Sequence, residues 1–186
     1  MSPWNSTIIC DKEYLGDYFI NFLEKVALSS NPPWNSDYAV MAIFGPIQKL
    51  AFFKPGEDNN AWTTIEPGLF VFNDVLFFNN EFYAVTRDGD VVACDIGDPF
   101  CPKVRNVVPQ LDDGIGKNKY LVESLGELLL FRRLFYYTVD LELYSNDYED
   151  DSIDDTMGFN VFKLDPTGCN KLHEMKTLHG QSLFLG

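Results

Sequence analysis

The chain has 186 residues, of which 46% are hydrophobic and 15% aromatic, and its formal charge is −14. This composition excludes a wholly disordered chain, because there is enough apolar surface to bury a core. The negative charge repels phosphate backbones and anionic lipid headgroups, so we expect neither nucleic-acid binding nor a membrane role. No uncharged run approaches the roughly 18 residues that a membrane span needs. Since no secretory signal is visible, the sequence predicts a cytoplasmic or nuclear protein.

The N-terminal part of the chain is the least patterned. Residues 1–17 are polar and are predicted to form an irregular segment ahead of a single domain over 18–186. The apolar residues of 18–28 fit one face of a helix, but they also fit a strand that leads into the Ser-Ser-Asn-Pro-Pro breaker at 29–33. The pattern leaves helix and strand open for 18–28.

Three apolar segments recur at an even step beyond that breaker. Aligning Val40, Val85 and Leu130 gives steps of 85 − 40 = 45 and 130 − 85 = 45 residues. A period in the forties, built of short β-rich runs, is typical of a β-propeller, in which each repeat supplies one four-stranded blade. The three segments are 38–44, 81–86 and 127–132.

Turn residues divide these repeats into strands. Asp88-Gly89 lies between two apolar runs and predicts a hairpin with a tight primed turn, because Gly adopts a positive φ without a Cβ clash. Gly45-Pro46 and Leu125-Gly126 are further turn signals. The sequence thus predicts an all-β fold, a partial β-propeller of about three four-stranded antiparallel blades in an open arc. The predicted strands are 38–44, 49–53, 61–65, 71–78, 82–86, 91–96, 103–108, 120–124, 127–133, 159–164 and 171–176, and a further strand begins at Ser182.

The segment 140–156 carries eight acidic side chains. So many like charges do not pack together, and we expect a solvated loop that projects from the third blade. A calcium loop would need oxygen ligands at alternating positions and a Gly at the bend, which this run does not offer. Ser152 precedes Asp154 and Asp155, the context that acidophilic kinases prefer. It is a candidate phosphorylation site, although an unmodified loop serine is the favoured interpretation.

The sequence contains no catalytic, cofactor-binding or metal-binding constellation. His173 and His179 lie without two further ligands at metal-binding spacing, and the four cysteines form no C-x-x-C pair. No nucleophile elbow, P-loop or dinucleotide fingerprint occurs. Glu123 and Glu127 flank a tight turn, so we expect them to face solvent rather than to act as paired carboxylates. We therefore predict a non-enzymatic protein that requires no cofactor or metal.

Several strings in this order resemble the plant F-box proteins that carry the KIB-type β-propeller, a domain of unknown function. The most specific string is Tyr-Leu-Val-Glu-Ser at 120–124, followed by Gly-Glu-Leu-Leu-Leu at 126–130, and the resemblance covers roughly residues 26–186. It implies a protein-interaction module that captures substrates for a ubiquitin ligase. Since residues 1–17 supply no F-box, we expect a truncated member that binds an unidentified protein partner without recruiting the ligase core. The other strings lie at 51–56, 62–63, 82–85, 88–89, 159–165 and 182–186.

Two other hypotheses stay open on the sequence alone. One is a propeller enzyme or metal-dependent hydrolase, which would need His, Asp or Glu side chains that converge at a central channel. The other is a truncated fragment without independent function. Because the strand at Ser182 begins a blade that the printed sequence does not continue, we also expect an apolar sheet edge and self-association.

Overall fold

The computed structural model contains twelve strands in three antiparallel sheets. It describes residues 23–30, 38–55, 62–65, 70–98, 102–108, 118–136, 155–165, 172–178 and 180–182. Each sheet has four strands that are neighbours in both sequence and space, and we name the sheets blades 1, 2 and 3. Blade 1 comprises β1 (Leu23–Leu28), β2 (Val40–Phe44), β3 (Lys49–Phe53) and β4 (Thr63–Ile65). Blade 2 comprises β5 (Phe72–Phe78), β6 (Glu81–Thr86), β7 (Val91–Asp95) and β8 (Lys103–Val108). Blade 3 comprises β9 (Lys119–Ser124), β10 (Glu127–Tyr136), β11 (Asp155–Leu164) and β12 (Leu172–Met175).

This architecture confirms the predicted all-β fold of three four-stranded antiparallel blades. The eleven strands predicted between residues 38 and 176 correspond to β2 through β12. The ambiguity over 18–28 is resolved in favour of a strand, because β1 pairs with β2 and completes blade 1. The irregular segment predicted for 1–17 lies outside the described residues, as do residues 183–186 of the last predicted strand. Among the residues described, no helix has the length and apolar character that crossing a membrane requires.

The blades pack face to face, and their first strands lie side by side. β1 contacts β5, and β5 contacts β9. One apolar cluster fills the space between blades 1 and 2, with Phe52 and Phe82 among its buried members. A second cluster, which includes Tyr83 and Leu128, fills the space between blades 2 and 3. This radial order, with the first strand of each sheet innermost, is the arrangement of propeller blades around an axis.

The even step of 45 residues identifies the correct strands but not equivalent positions within them. Val40, Val85 and Leu130 lie in β2, β6 and β10, the second strand of each blade. However, Val85 and Leu130 belong to the same cluster and face each other across the interface of blades 2 and 3. The equivalent positions are Ile43, Val85 and Phe131, each on the side of its blade that points toward higher blade numbers. Their steps are 85 − 43 = 42 and 131 − 85 = 46 residues, because the connecting turns differ in length.

The hairpin predicted at Asp88-Gly89 is present, but its turn is not of the primed type. Only Gly89 has a positive φ, of 97°, whereas a two-residue primed turn of type I′ needs two such residues. The Gly89 amide donates to the Thr86 carbonyl at 3.1 Å, and the Thr86 amide donates to the Asp90 carbonyl at 2.9 Å. This pattern is a wider loop closed by a left-handed glycine, a common alternative to the two-residue turn.

The predicted acidic loop is shorter than 140–156 at its C-terminal end. β11 begins at Asp155, which pairs with Tyr136, and Thr156 pairs with Phe135. The prediction was wrong for these two residues because β10 continues past a bulge at Leu134/Phe135 and supplies partners for them. The remainder of the loop, including Ser152, lies outside the described residues.

Two hairpins in the structure do have two successive residues with positive φ. They are Asn79-Asn80 in blade 2, with φ of 47° and 65°, and Leu125-Gly126 in blade 3, with φ of 53° and 74°. Asn tolerates this region, whereas a left-handed conformation costs a residue such as Leu roughly 1–2 kcal/mol. The Leu125 side chain is 78% exposed and so regains little of that cost through burial.

We therefore predict that Leu125→Asn raises the free energy of unfolding by about 1 kcal/mol, as measured by urea denaturation. The matched control is Asn79→Leu at the corresponding first position of the blade 2 turn, and it should lower stability by a similar amount. Destabilisation by Leu125→Asn would contradict the assigned turn geometry.

Candidate functional site

Two bulges near the beginning of the inner strands set the position of the candidate site. The pairing of β1 with β2 shifts register between Leu23 and Lys25, and that of β5 with β6 shifts between Phe72 and Asp74. A bulge bends the strand locally and redirects the side chains beside it. Both inner strands are thus bent at the point where Lys25 and Asp74 meet.

The Asp74 carboxylate connects all three blades. Asp74 is 2% exposed. Its Oδ1 accepts a hydrogen bond from the Val75 amide at 2.8 Å and lies 3.0 Å from Lys25 Nζ in blade 1. Its Oδ2 accepts from the Leu121 amide of blade 3 at 2.9 Å. Because the carboxylate is both hydrogen-bonded and paired with a cation, its burial is compensated.

A second set of contacts joins the same three blades closer to the surface. The Lys119 side chain of blade 3 is buried, and its Nζ donates to the Arg87 carbonyl of blade 2 at 2.6 Å. Arg87 Nη2 in turn donates to Gln48 Oε1 of blade 1 at 3.4 Å, and Gln48 Nε2 donates to Glu24 Oε1 at 2.7 Å. Burial lowers the pKa of Lys119, and the charge of nearby Asp88 opposes that shift.

These two sets of contacts border a cavity of about 400 Å³ at the inner strands. We call the side on which it lies the cavity face, marked by the turns Gly45–Gln48 and Arg87–Asp90 and by the starts of β1, β5 and β9. The turns Asn79-Asn80 and Leu125-Gly126 mark the opposite face. The residues that line the cavity are Glu24, Lys25, Gln48, Asn73, Asp74, Asn118, Lys119, Tyr120, Leu121 and Val122.

One residue of the cavity lining carries a buried polar atom. Within the described part of the chain, no donor reaches Asn73 Oδ1, although that atom is buried. Nearby, Asn118 Nδ2 donates a long hydrogen bond of 3.4 Å to the Tyr120 hydroxyl. A buried polar atom without a partner costs roughly 1–3 kcal/mol, and such atoms are often satisfied by water or a ligand. Within the described residues, Asn73 therefore carries an uncompensated buried oxygen beside the cavity.

The residues singled out from the sequence lie elsewhere. His173 is exposed on β12, and Glu123 is exposed at the end of β9, as expected. Glu127 is half-buried and forms an ion pair with Lys163 across blade 3. Ser152 and His179 lie outside the described residues. Among those that are described, no group of three His, Cys, Asp or Glu side chains could hold a metal ion.

The sequence analysis did not identify the residues that build the cavity. A signal was present at Asn73-Asp74, since two polar residues interrupt the otherwise apolar run 71–78. An acidic side chain in the middle of a predicted buried strand needs a partner. The partners Lys25 and Leu121 are 49 and 47 residues away (74 − 25 and 121 − 74), so no local pattern connects them to Asp74.

Comparison with known proteins assigns the chain to a family. The family model described as KIB1-4 beta-propeller matches residues 5–186. The chain belongs to this family. A KIB1-4 β-propeller with three described blades agrees with the resemblance found in the sequence, and it confirms that resemblance.

One relative of this KIB1-4 propeller is the Arabidopsis thaliana protein named "Putative F-box protein At5g55150". The two sequences are 27% identical over 183 residues, which is 97% of this chain and 45% of the relative. The chain thus spans about half the length of the relative. No solved structure matches.

The central position of Asp74 predicts a large effect of its removal. Asp74→Ala leaves the Val75 and Leu121 amides without this acceptor and removes the partner of Lys25. We expect it to lower the free energy of unfolding by about 3 kcal/mol. Asp95→Ala is the control, because the exposed Asp95 carboxylate accepts a local hydrogen bond from the Gly97 amide, and its loss should cost less than about 1 kcal/mol. Chemical denaturation of both variants measures the difference, and equal losses would contradict the role of Asp74.

Lys119 predicts a specific dependence of stability on pH. Since its pKa is lower in the folded state than the ordinary 10.5, the unfolded chain binds more protons between those two values. The contribution of Lys119 to stability therefore rises as pH increases toward 10.5. The difference in unfolding free energy between wild type and Lys119→Met should grow in favour of wild type over this range. A flat profile over this range would refute the prediction.

Proposed function

We propose that the chain is a non-enzymatic protein-interaction module whose partner docks on the cavity face. The observation that carries the proposal is the cavity at the junction of the three blades, which is lined by amide side chains and by charges that balance. Binding sites are commonly concave, preformed and equipped with a few fixed polar groups. The contacts of Asp74 and Lys119 connect the lining of this cavity to all three blades.

The lining of the cavity favours a polar peptide segment as the ligand. Gln48, Asn73 and Asn118 present amide groups, which can both donate and accept hydrogen bonds. The two cations and two carboxylates of the lining balance, since Lys25 lies against Asp74 and the charges of Lys119 and Glu24 are opposite. A neutral, amide-bearing surface matches the main chain and uncharged side chains of a protein loop.

Membership of the KIB1-4 propeller family supports a partner of the substrate type. The Arabidopsis relative is named as an F-box protein, and the family resemblance implies capture of substrates for a ubiquitin ligase. We propose that this chain performs the recognition step, in the cytoplasm or nucleus. In that role the propeller binds a protein and catalyses no reaction on it. The ionisable groups of the cavity make contacts that stabilise the fold, which agrees with such a role.

Site-specific photocrosslinking tests which face binds. Benzoylphenylalanine is introduced at Ile47 on the cavity face or at Leu125 on the opposite face, since both are exposed turn residues. In plant cell extract we expect a discrete adduct from position 47 that excess unlabelled chain suppresses. Position 125 should give no such adduct. Adducts from position 125 alone, or from neither position, would contradict docking on the cavity face.

A matched pair of substitutions tests whether the cavity itself is used. Asn73→Trp fills the cavity and should abolish the adduct from position 47. Asn106→Trp places the same side chain at an exposed position on the outer strand β8 and should leave the adduct intact. Circular dichroism establishes that both variants are folded. An adduct that survives Asn73→Trp in a folded protein would show that the partner binds outside the cavity.

A further inference from the structure

The Thr156 hydroxyl at the start of β11 is bound by the side chain of Arg133 in β10. Arg133 Nε donates to Thr156 Oγ1 at 2.7 Å, and Arg133 Nη2 donates to the same oxygen. Two N–H groups on one edge of the guanidinium therefore converge on a single hydroxyl oxygen. The planar fork of arginine suits two oxygens of a phosphate or carboxylate group, which it binds in parallel. Thr156 is exposed, so a larger group on its hydroxyl would extend into solvent.

Several contacts hold Arg133 in position. Its guanidinium carbon lies 4.6 Å from the centre of the Phe135 ring, and Phe135 is buried. A cation over an aromatic face is attracted by the ring, which favours this orientation of the side chain. The Arg133 backbone amide donates to the Asn118 carbonyl at 3.0 Å. Because the guanidinium is already oriented, binding a phosphate there requires little further ordering.

The position of Thr156 in its strand makes it accessible to a modifying enzyme. The pairing of β10 with β11 shifts register between Leu134 and Phe135. Two pairs lie beyond that bulge, Phe135 with Thr156 and Tyr136 with Asp155. The ends of paired strands open locally at a low cost in free energy. Since a protein kinase binds its substrate as an extended chain, the opening of these two pairs presents Thr156 to it.

The sequence before Thr156 suits an acidophilic protein kinase. Asp154 and Asp155 directly precede the threonine, and further acidic residues lie upstream of them. Kinases of this type select hydroxyl groups that lie among acidic residues. The same acidic run makes Ser152 a candidate from the sequence alone. Thr156 combines this context with an arginine that contacts its hydroxyl.

We propose that Thr156 is a phosphorylation site and that Arg133 binds the phosphate. An acidophilic protein kinase transfers the γ-phosphoryl group of ATP to Thr156 Oγ1. A bond forms between the γ-phosphorus and Oγ1, and the bond from that phosphorus to the β–γ bridging oxygen breaks. ADP leaves, and the hydroxyl proton passes to the catalytic base of the kinase. The phosphate accepts charge-assisted hydrogen bonds from the Arg133 fork, and these stabilise the pairing of β10 with β11.

Mass spectrometry of the purified 186-residue chain, after incubation with plant cell extract and ATP, tests the modification itself. We expect phosphate on Thr156, and the Thr156→Ala variant should lose this phosphate. Thr177 is the control within the same chain, because it is an exposed threonine that directly follows Lys176 rather than an acidic residue. It should stay unmodified.

Phosphorus NMR tests whether Arg133 binds the phosphate. Phosphothreonine is introduced at position 156, and the second pKa of its phosphate is measured. A neighbouring cation favours the doubly charged form, so Arg133→Gln should raise this pKa by about 1 pH unit. Arg105→Gln is the matched control, because it removes an equal charge in blade 2, where Arg105 pairs with Glu81, and it should leave the pKa unchanged. Circular dichroism verifies that each variant is folded.

Three results would overturn the inference. They are phosphate on Ser152 with none on Thr156, phosphate on neither residue, and a phosphate pKa that Arg133→Gln raises no more than Arg105→Gln does. Because none of these measurements involves a docked partner, they are independent of whether a partner binds on the cavity face.

Discussion

The buried carboxylate of Asp74 is the constraint on which the relative position of the three blades depends. A charge at this depth is stable only with its hydrogen bonds and its cation in place. Those partners are the Val75 and Leu121 amides and Lys25, so blades 1 and 3 must both sit correctly against blade 2. The apolar clusters between blades supply most of the attraction, but apolar contact is nondirectional. The hydrogen bonds and the ion pair of the carboxylate are directional, and they fix how the inner strands meet.

The same constraint explains why a cavity forms where the blades meet. The bulges that bring Lys25 and Asp74 together bend β1 and β5 away from ideal pairing. The polar side chains at this point cannot interdigitate as densely as the phenylalanines between the blades. The space that is left is lined by amides and balanced charges. A feature that stabilises the fold therefore also shapes the surface that we propose for partner binding.

Much of the fold could be predicted from the sequence because its causes are local. Alternating apolar runs and turn residues identified eleven strands, and the recurrence of similar segments identified the blades. The errors also have local causes. The hairpin at Asp88-Gly89 has a wider turn than predicted, and Asp155 joins β11 because β10 is long enough to pair with it. Residues 18–28 fit both a helix and a strand, since only pairing with β2 decides between them.

The sequence by itself thus determined the strand content, the number of blades and, through specific strings, the KIB1-4 propeller family. The tertiary structure decided which side chains meet at the inner strands. Asn73 and Asp74 were visible as polar residues within an apolar run, yet their significance depends on Lys25 and Leu121, which lie far away in the chain. Such residues come together when the sheets stack, and their final positions depend on the lengths of many turns and on one-residue bulges. A shift of one residue in any strand would send its side chains to the other face, so the site emerges only when all three blades are assembled.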